Sequence, residues 1–186
     1  MLASMNPVSI ASVLAVCVTC HGLHGEGSTD GVPRLAGQNA EYLSHALSMF
    51  REGTRASAIM QPIARILGDE EIAQLADHFS KQHAPPVEAL AAISPGRLAA
   101  GGALAETGAT NVLPCFSCHG SQGDGVGARF PSIAGQPVKF VVNRFHEFQE
   151  QALKTTPQPM TMTAVSTTLD EAQIEDVAAY LSQLER

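Results

Sequence analysis

Apolar residues recur along this chain at helical intervals. Ile10, Val13, Leu14 and Cys17 fall at i, i+3, i+4 and i+7, one face of an amphipathic helix. Asn6-Pro7 reads as its N-cap and first position. Leu43, Leu47 and Phe50 make a second stripe, and Val141, Phe145 and Phe148 repeat it. Ile72, Leu75, Ala76 and Phe79 make another, matched by Ile174, Val177, Ala178 and Leu181. Asp170 with Gln173 has the form of a capping box, and Gly68 with Glu71 a weaker version of it. Ser94-Pro95 starts a helix with Ser as N-cap and Pro at the first turn. No convincing alternation of period two is found, so the expected fold class is all-α.

The stripes come in pairs because the chain repeats itself. At an offset of 98 residues, Cys17, Cys20 and His21 fall on Cys115, Cys118 and His119, and the segment Pro33 to Gln38 falls on Pro131 to Gln136. The offset then grows to 102, so that Met60, Leu67 and Ile72 fall on Met162, Leu169 and Ile174. A period this long means a duplicated domain rather than a solenoid. His83-Ala-Pro-Pro-Val-Glu88 is a break that no helix continues through. The expected organisation is a domain over 1–83, a linker over 84–94 and a domain over 95–186.

Composition sharpens this picture. Apolar residues are 45 % of the 186, but aromatics are only 5 % and Trp is absent. That is thin for two cores in domains of about ninety residues each, so something other than side chains is expected to fill them. The net charge of −7 argues against a nucleic-acid partner. It suits a basic protein surface, or simply keeps the chain in solution. No run of eighteen apolar residues exists, so no membrane span is expected. The opening MLASMNPVSIASVLAV resembles a signal peptide superficially, yet no Lys or Arg precedes Arg34. Leu14-Ala-Val-Cys17 hints at a lipoprotein box, but cleavage there would acylate a cysteine the repeat needs. The stretch is read as a helix, and no export signal is expected in the chain as given.

All four cysteines are spent on the two Cys-x-x-Cys-His segments. A bare Cys-x-x-Cys serves redox, zinc or disulfide chemistry. A thioredoxin-type motif belongs in a βαβ pattern, which is missing. A zinc site made from both pairs would span 98 residues, and one made from either pair lacks a fourth ligand. The adjacent His discriminates: Cys-x-x-Cys-His is the attachment signature of c-type haem. Two thiols on one helical turn form thioethers to the haem vinyl groups, and the His supplies a proximal nitrogen to iron. Two covalent haems, on Cys17, Cys20 and His21 and on Cys115, Cys118 and His119, also supply the missing apolar bulk.

Over nearly its whole length the chain resembles two fused class I cytochromes c, of the diheme c-four group. The motifs that carry this are Cys17-Val-Thr-Cys-His21-Gly22, Pro33 through Gln38 and Met60, then Cys115-Phe-Ser-Cys-His119-Gly120, Pro131 through Gln136 and Met162. The resemblance implies tandem cytochrome c-like domains, each a few helices around a haem. It implies a Met sulfur as the distal ligand. The repeat selects Met60 and, because Met60–Ile72 and Met162–Ile174 are both twelve residues apart, Met162 over Met160. It also implies a proline carbonyl that orients the proximal ring, and Pro33 and Pro131 each follow their His by twelve residues. His24, His45, His78, His83 and His146 do not recur in the repeat and are set aside. Gln38, Gln136, Tyr42, Arg34 and Arg51 are weaker candidates for the propionates. One departure is that the opening helix of the first half is short and does not align with Ser94–Gly108.

Six-coordinate iron suits outer-sphere electron transfer, and no nucleophile or general base is arranged for catalysis. The resemblance therefore implies an electron-transfer protein rather than an enzyme. Its expected partners are respiratory: a cytochrome bc complex and a haem–copper terminal oxidase, met in solution or at a membrane surface. The alternative is the electron-accepting subunit of a dehydrogenase complex that oxidises sulfide, alcohol or thiosulfate. A third reading leaves one distal face open in the Met160/Met162 region. Because haem is attached to such motifs outside the cytoplasm, the family implies a periplasmic location.

Overall fold

A computed structural model describes residues 10–84 and 93–185. The readings at Asn6-Pro7 and at Pro85-Pro86, with most of the expected linker, lie outside the described residues. The first half holds α1 (Ile10–His21), α2 (Ala40–Glu52), α3 (Met60–Arg65) and α4 (Asp69–Ser80). The second holds α5 (Pro95–Thr107), α6 (Phe116–His119), α7 (Val138–Lys154), α8 (Met162–Ser166) and α9 (Glu171–Ser182). Extended pairing among the described residues is confined to isolated bridges, Ala109 with Val112 and Val126 with Phe130. The fold is all-α.

Local chemistry explains the helix ends. Asn39 caps α2 by accepting from the Glu41 and Tyr42 N–H groups, and Gly53 closes that helix in the left-handed conformation at φ 82°. Ser94 accepts from Arg97 N–H at the start of α5. Asp170 and Gln173 make the reciprocal bonds of a capping box, at 2.8 and 3.0 Å. At Gly68 only half of such a box exists, its N–H donating to Glu71 at 2.9 Å. The four extra residues of the second copy are one more helical turn: α2 has 13 residues and α7 has 17.

Each half has its own core. Val13, Leu43, Leu67, Ile72, Leu75, Ala76 and Phe79 close the first. Leu104, Val112, Val141, Phe145, Leu169, Ile174, Val177 and Leu181 are the larger members of the second. Most of the paired stripes thus face inward in both copies; Phe50 and Phe148 instead stay half-buried outside both cores, under the Arg55 and Arg144 guanidiniums at 4.6 and 4.4 Å, and Ile10, at the tip of α1, is exposed. In the second half α5 crosses α9 closely. A Cβ on Gly101 would lie 2.1 Å from the Asp176 carbonyl oxygen, and one on Gly102 would lie 3.1 Å from the Tyr180 ring. Arg97 ties the same crossing to Glu175 and Asp176 at 2.5 and 3.0 Å.

Candidate functional site

The two Cys-x-x-Cys-His segments are presented differently. In the first half, α1 runs unbroken through Cys17 and Cys20 to His21. In the second, Pro114 precedes a separate helical turn, α6, that ends in His119. From the histidine onward the copies converge. Both rings are buried, at 7 % and 6 % exposure. Gly27 N–H donates to the His21 carbonyl at 2.9 Å, and Gly125 N–H to the His119 carbonyl at 2.7 Å. His21 Nδ1 lies 3.0 Å from the Pro33 carbonyl oxygen, and His119 Nδ1 lies 2.8 Å from that of Pro131.

Glycine is required behind those prolines. Gly27 and Gly125 have φ of +81° and +85°, and a Cβ would approach Arg34 N to 2.8 Å and Ser132 N to 2.4 Å. A side chain there would displace the peptide that holds the histidine.

The electrostatics suit a neutral imidazole ligand. A carbonyl can only accept, so Nδ1 donates and Nε2 keeps its lone pair. Burial pushes both histidines below the ordinary value, against the smaller opposing effect of the proline carbonyls. Burial raises the thiols: Cys17 goes up, and Cys115 goes up to about 11. A reactive Cys-x-x-Cys needs the reverse, a thiolate stabilised near neutral pH. The cysteines are not joined in disulfides. Among the described residues no three of His, Cys, Asp and Glu converge as a metal site.

Met60 opens α3 and Met162 opens α8, each half-buried, and Met162 packs against the second core. Met160 is 72 % exposed, on a left-handed backbone at φ 60°.

Other candidates have different occupations. Gln38 and Gln136 spend their amides on the backbone of the opposite half. Arg51 pairs with Asp69 at 2.8 Å and donates to the Leu67 carbonyl. The Arg34 guanidinium donates to the Ala84 carbonyl. His146 meets Glu171 at 2.9 Å, and His24 and His45 are exposed. Arg55 and Arg144 stand in neither copy's motifs. Arg55 donates to Tyr42 Oη at 3.3 Å, yet its Nε is buried without a partner. Burial first, then the charge of Arg55, lowers the pKa of Arg144 from the opposite half. An orphaned cationic donor in a two-arginine neighbourhood fits the propionate carboxylates of a haem. A pair of arginines drawn one from each copy leaves no mark in a repeat alignment.

Two copies of one loop, each pairing a Cys-x-x-Cys turn with a buried imidazole whose second nitrogen is tied to a carbonyl, define a two-domain c-type haem protein. The family described as cytochrome c matches residues 11–82 and again 100–185. A protein of Stutzerimonas stutzeri (strain A1501) named thiosulfate dehydrogenase electron acceptor is 35 % identical over 182 residues, 96 % of this chain and 81 % of that protein. The cytochrome c4 structure of Acidithiobacillus ferrooxidans superposes with a TM-score of 0.78 at 34 % identity, covering 91 % of this chain and 99 % of that one. A thiosulfate dehydrogenase from Marichromatium purpuratum gives a TM-score of 0.78 at 35 % identity over 90 % of this chain, which matches only 36 % of that longer chain. The chain belongs to the cytochrome c family, in its diheme cytochrome c4 group. It carries two covalently attached haem c groups, through Cys17 and Cys20 and through Cys115 and Cys118, and is an electron-transfer protein. No helix among the described residues is long and apolar enough to cross a membrane.

Proposed function

We propose that the chain is a periplasmic carrier whose two irons are each held between a histidine and a methionine: His21 with Met60, and His119 with Met162. The observation that carries this is the duplicated loop geometry, with both Nδ1 atoms within 3.0 Å of a proline carbonyl and a methionine opening the matching helix of each half. Held by these residues, each haem supplies a one-electron ferric/ferrous couple. Pro33 and Pro131 fix the ring planes, and the neutral imidazoles keep Nε2 available. A sulfur ligand in an apolar shell favours the reduced state. A histidine and a methionine on each iron would leave no open position for a substrate, so these residues would support electron transfer between protein surfaces. The domains run over 1–83 and 95–186, joined by 84–94.

The partners in this reading are a cytochrome bc complex as donor and a haem–copper terminal oxidase as acceptor. A second reading is supported by the relative named as an electron acceptor of thiosulfate dehydrogenase and by the likeness to part of such an enzyme: this chain takes electrons from a thiosulfate-oxidising partner. Mixing the ferric protein with each purified donor in a stopped-flow spectrometer separates the two. Fast reduction by thiosulfate dehydrogenase with thiosulfate, and slow reduction by the bc complex, would favour the second.

The ligand set is tested by spectra of the reduced holoprotein with and without carbon monoxide. The wild type and Met160→Ala should be indifferent to the gas. Met60→Ala and Met162→Ala should each gain one carbon monoxide-binding haem. Gas binding by Met160→Ala instead would move the second ligand to that position.

A further inference from the structure

We propose that Gln38 and Gln136 are positioning residues that act across the domain boundary, each setting the hydrogen bond of the axial histidine in the opposite half. This rests on the reading of His21 and His119 as axial ligands and goes one step beyond it.

The geometry is reciprocal. Gln136 Oε1 accepts from Arg34 N–H at 3.1 Å, and its Nε2 donates to the Arg34 carbonyl at 2.9 Å. Gln38 Oε1 accepts from Ser132 N–H at 2.8 Å, and its Nε2 donates to the Ser132 carbonyl at 2.9 Å. Arg34 and Ser132 occupy equivalent places in the repeat, as do the two glutamines. Both side chains are buried, at 3 % and 5 % exposure. A primary amide that meets an N–H and a C=O of one residue satisfies both with its oxygen and nitrogen in one arrangement only.

What is gripped matters more than the grip. The Arg34 N–H belongs to the same peptide unit as the Pro33 carbonyl, which accepts from His21 Nδ1 at 3.0 Å. The Ser132 N–H belongs to the same peptide unit as the Pro131 carbonyl, which accepts from His119 Nδ1 at 2.8 Å. Two unbroken chains result: imidazole, peptide and amide from the other domain. Hydrogen bonds in such a chain polarise one another, by roughly 10–30 % per bond in a low-dielectric interior. An acceptor on the N–H makes the carbonyl oxygen at the other end of that peptide more negative. The histidine then gains imidazolate character, which strengthens its donation to ferric iron. A tie that merely held two domains together had many peptides to choose from. In both copies it falls on the one that orients the ring.

The test reads the ring nitrogen. In the fully reduced, diamagnetic holoprotein, the Nδ1 protons of His21 and His119 report the strength of their bonds to Pro33 and Pro131. Gln136→Leu should move the His21 proton upfield and leave that of His119 in place, and Gln38→Leu should do the converse. Gln136→Glu keeps an acceptor for Arg34 N–H, so it should hold the His21 proton in place or move it downfield. The Leu variants should also raise the reduction potential of the haem in the half that was not mutated. Equal shifts of both protons in either Leu variant, no shift in either, or a Gln136→Glu that behaves like Gln136→Leu would overturn the coupling and leave a plain interdomain tie. Absence from the wild-type spectrum of two histidine rings shifted by haem ring currents would instead overturn the axial assignment, and the coupling with it.

Discussion

The two halves of the molecule share a site and differ in what holds it up. In the second half α5 lies against α9 so tightly that two glycines, Gly101 and Gly102, make the crossing, and Leu104 and Ala105 are buried beneath it. In the first half α1 buries Val13 as its core contact and then becomes the haem-binding segment itself, with His21 in its last turn. The longer α7 adds a turn that α2 lacks. Yet the histidine, the glycine behind the proline, the proline and the glutamine keep one spacing in both copies. The duplicated chain has varied its scaffold and held constant the histidine and the loop that ties its ring, so that loop constrains sequence more tightly than the helices around it do.

The difference predicts separate stability for the halves. Phe79 is 3 % exposed in α4, and its ring lies where a Cβ on Gly25 would reach it at 2.8 Å. Phe79→Ala removes the largest buried side chain of a core that α1 covers only with Val13 and its half-buried neighbours. The expected loss is about 3–5 kcal/mol, confined to the first half. Native-state hydrogen exchange on the holoprotein would show it as faster opening of α2 and α4, with α5 and α9 unchanged. Equal opening of both halves would mean that they unfold as one unit.

The shared element is probed by Gly27→Ala and Gly125→Ala. Each puts a Cβ on a left-handed backbone and against the peptide after the proline, for an expected cost of about 2–4 kcal/mol. Both halves should lose about the same, because this part of the repeat is common to them. A large loss in one half and none in the other would show that the two loops are not equivalent.

Much of this was legible beforehand, for identifiable reasons. The haem motifs depend on residues adjacent in the chain, and the capping box at Asp170 depends on residues three apart, so linear spacing reveals both. The inward stripes on α4 and α9 follow from helical periodicity and are observed as buried. What spacing could not supply was anything made between the copies. Gln38 and Gln136 were weaker candidates for the haem propionates. What no spacing reveals is that each grips the other half's backbone, a contact 94 to 102 residues away in sequence. Arg55 and Arg144 went unnoticed because neither stands in a motif and their neighbourhood exists only once the halves meet.

A smaller effect is expected at the helix crossing. Gly101→Ala forces α5 away from the Asp176 carbonyl. Overpacking of this kind costs about 1–3 kcal/mol, and up to about 1 kcal/mol returns because alanine favours a helix over glycine. The net loss, about 1–2 kcal/mol, should fall on the second half alone and leave both Nδ1–carbonyl bonds intact. Exchange at α5 and α9 measures the first part, and the two imidazole protons measure the second. If the His119 proton moved as well, the crossing would belong to the site and not only to its scaffold.

The smallest effect separates the halves by pH. Tyr180 Oη donates to Glu106 at 2.7 Å, and this bond, with some burial, raises the phenol above its ordinary value of 10. The counterpart of Tyr180 in the first half is His78, which stands edge-on against Phe79. A phenol whose folded pKa is raised contributes stability while it is protonated, so the contribution is whole below pH 10. As pH climbs through 10 the unfolded chain ionises first and the contribution is lost. Because the pair is largely exposed, it is worth less than about 1 kcal/mol. The second half should therefore lose a little stability between pH 9 and pH 11 that the first half does not, and Tyr180→Phe should abolish that difference while lowering stability slightly at neutral pH. Unfolding in urea at the two pH values, with exchange identifying the half that opens, makes the comparison. An identical alkaline loss in the wild type and in Tyr180→Phe would show that the Glu106 bond is solvated away in solution. The advantage of the second half would then rest on the packing of α5 against α9 alone.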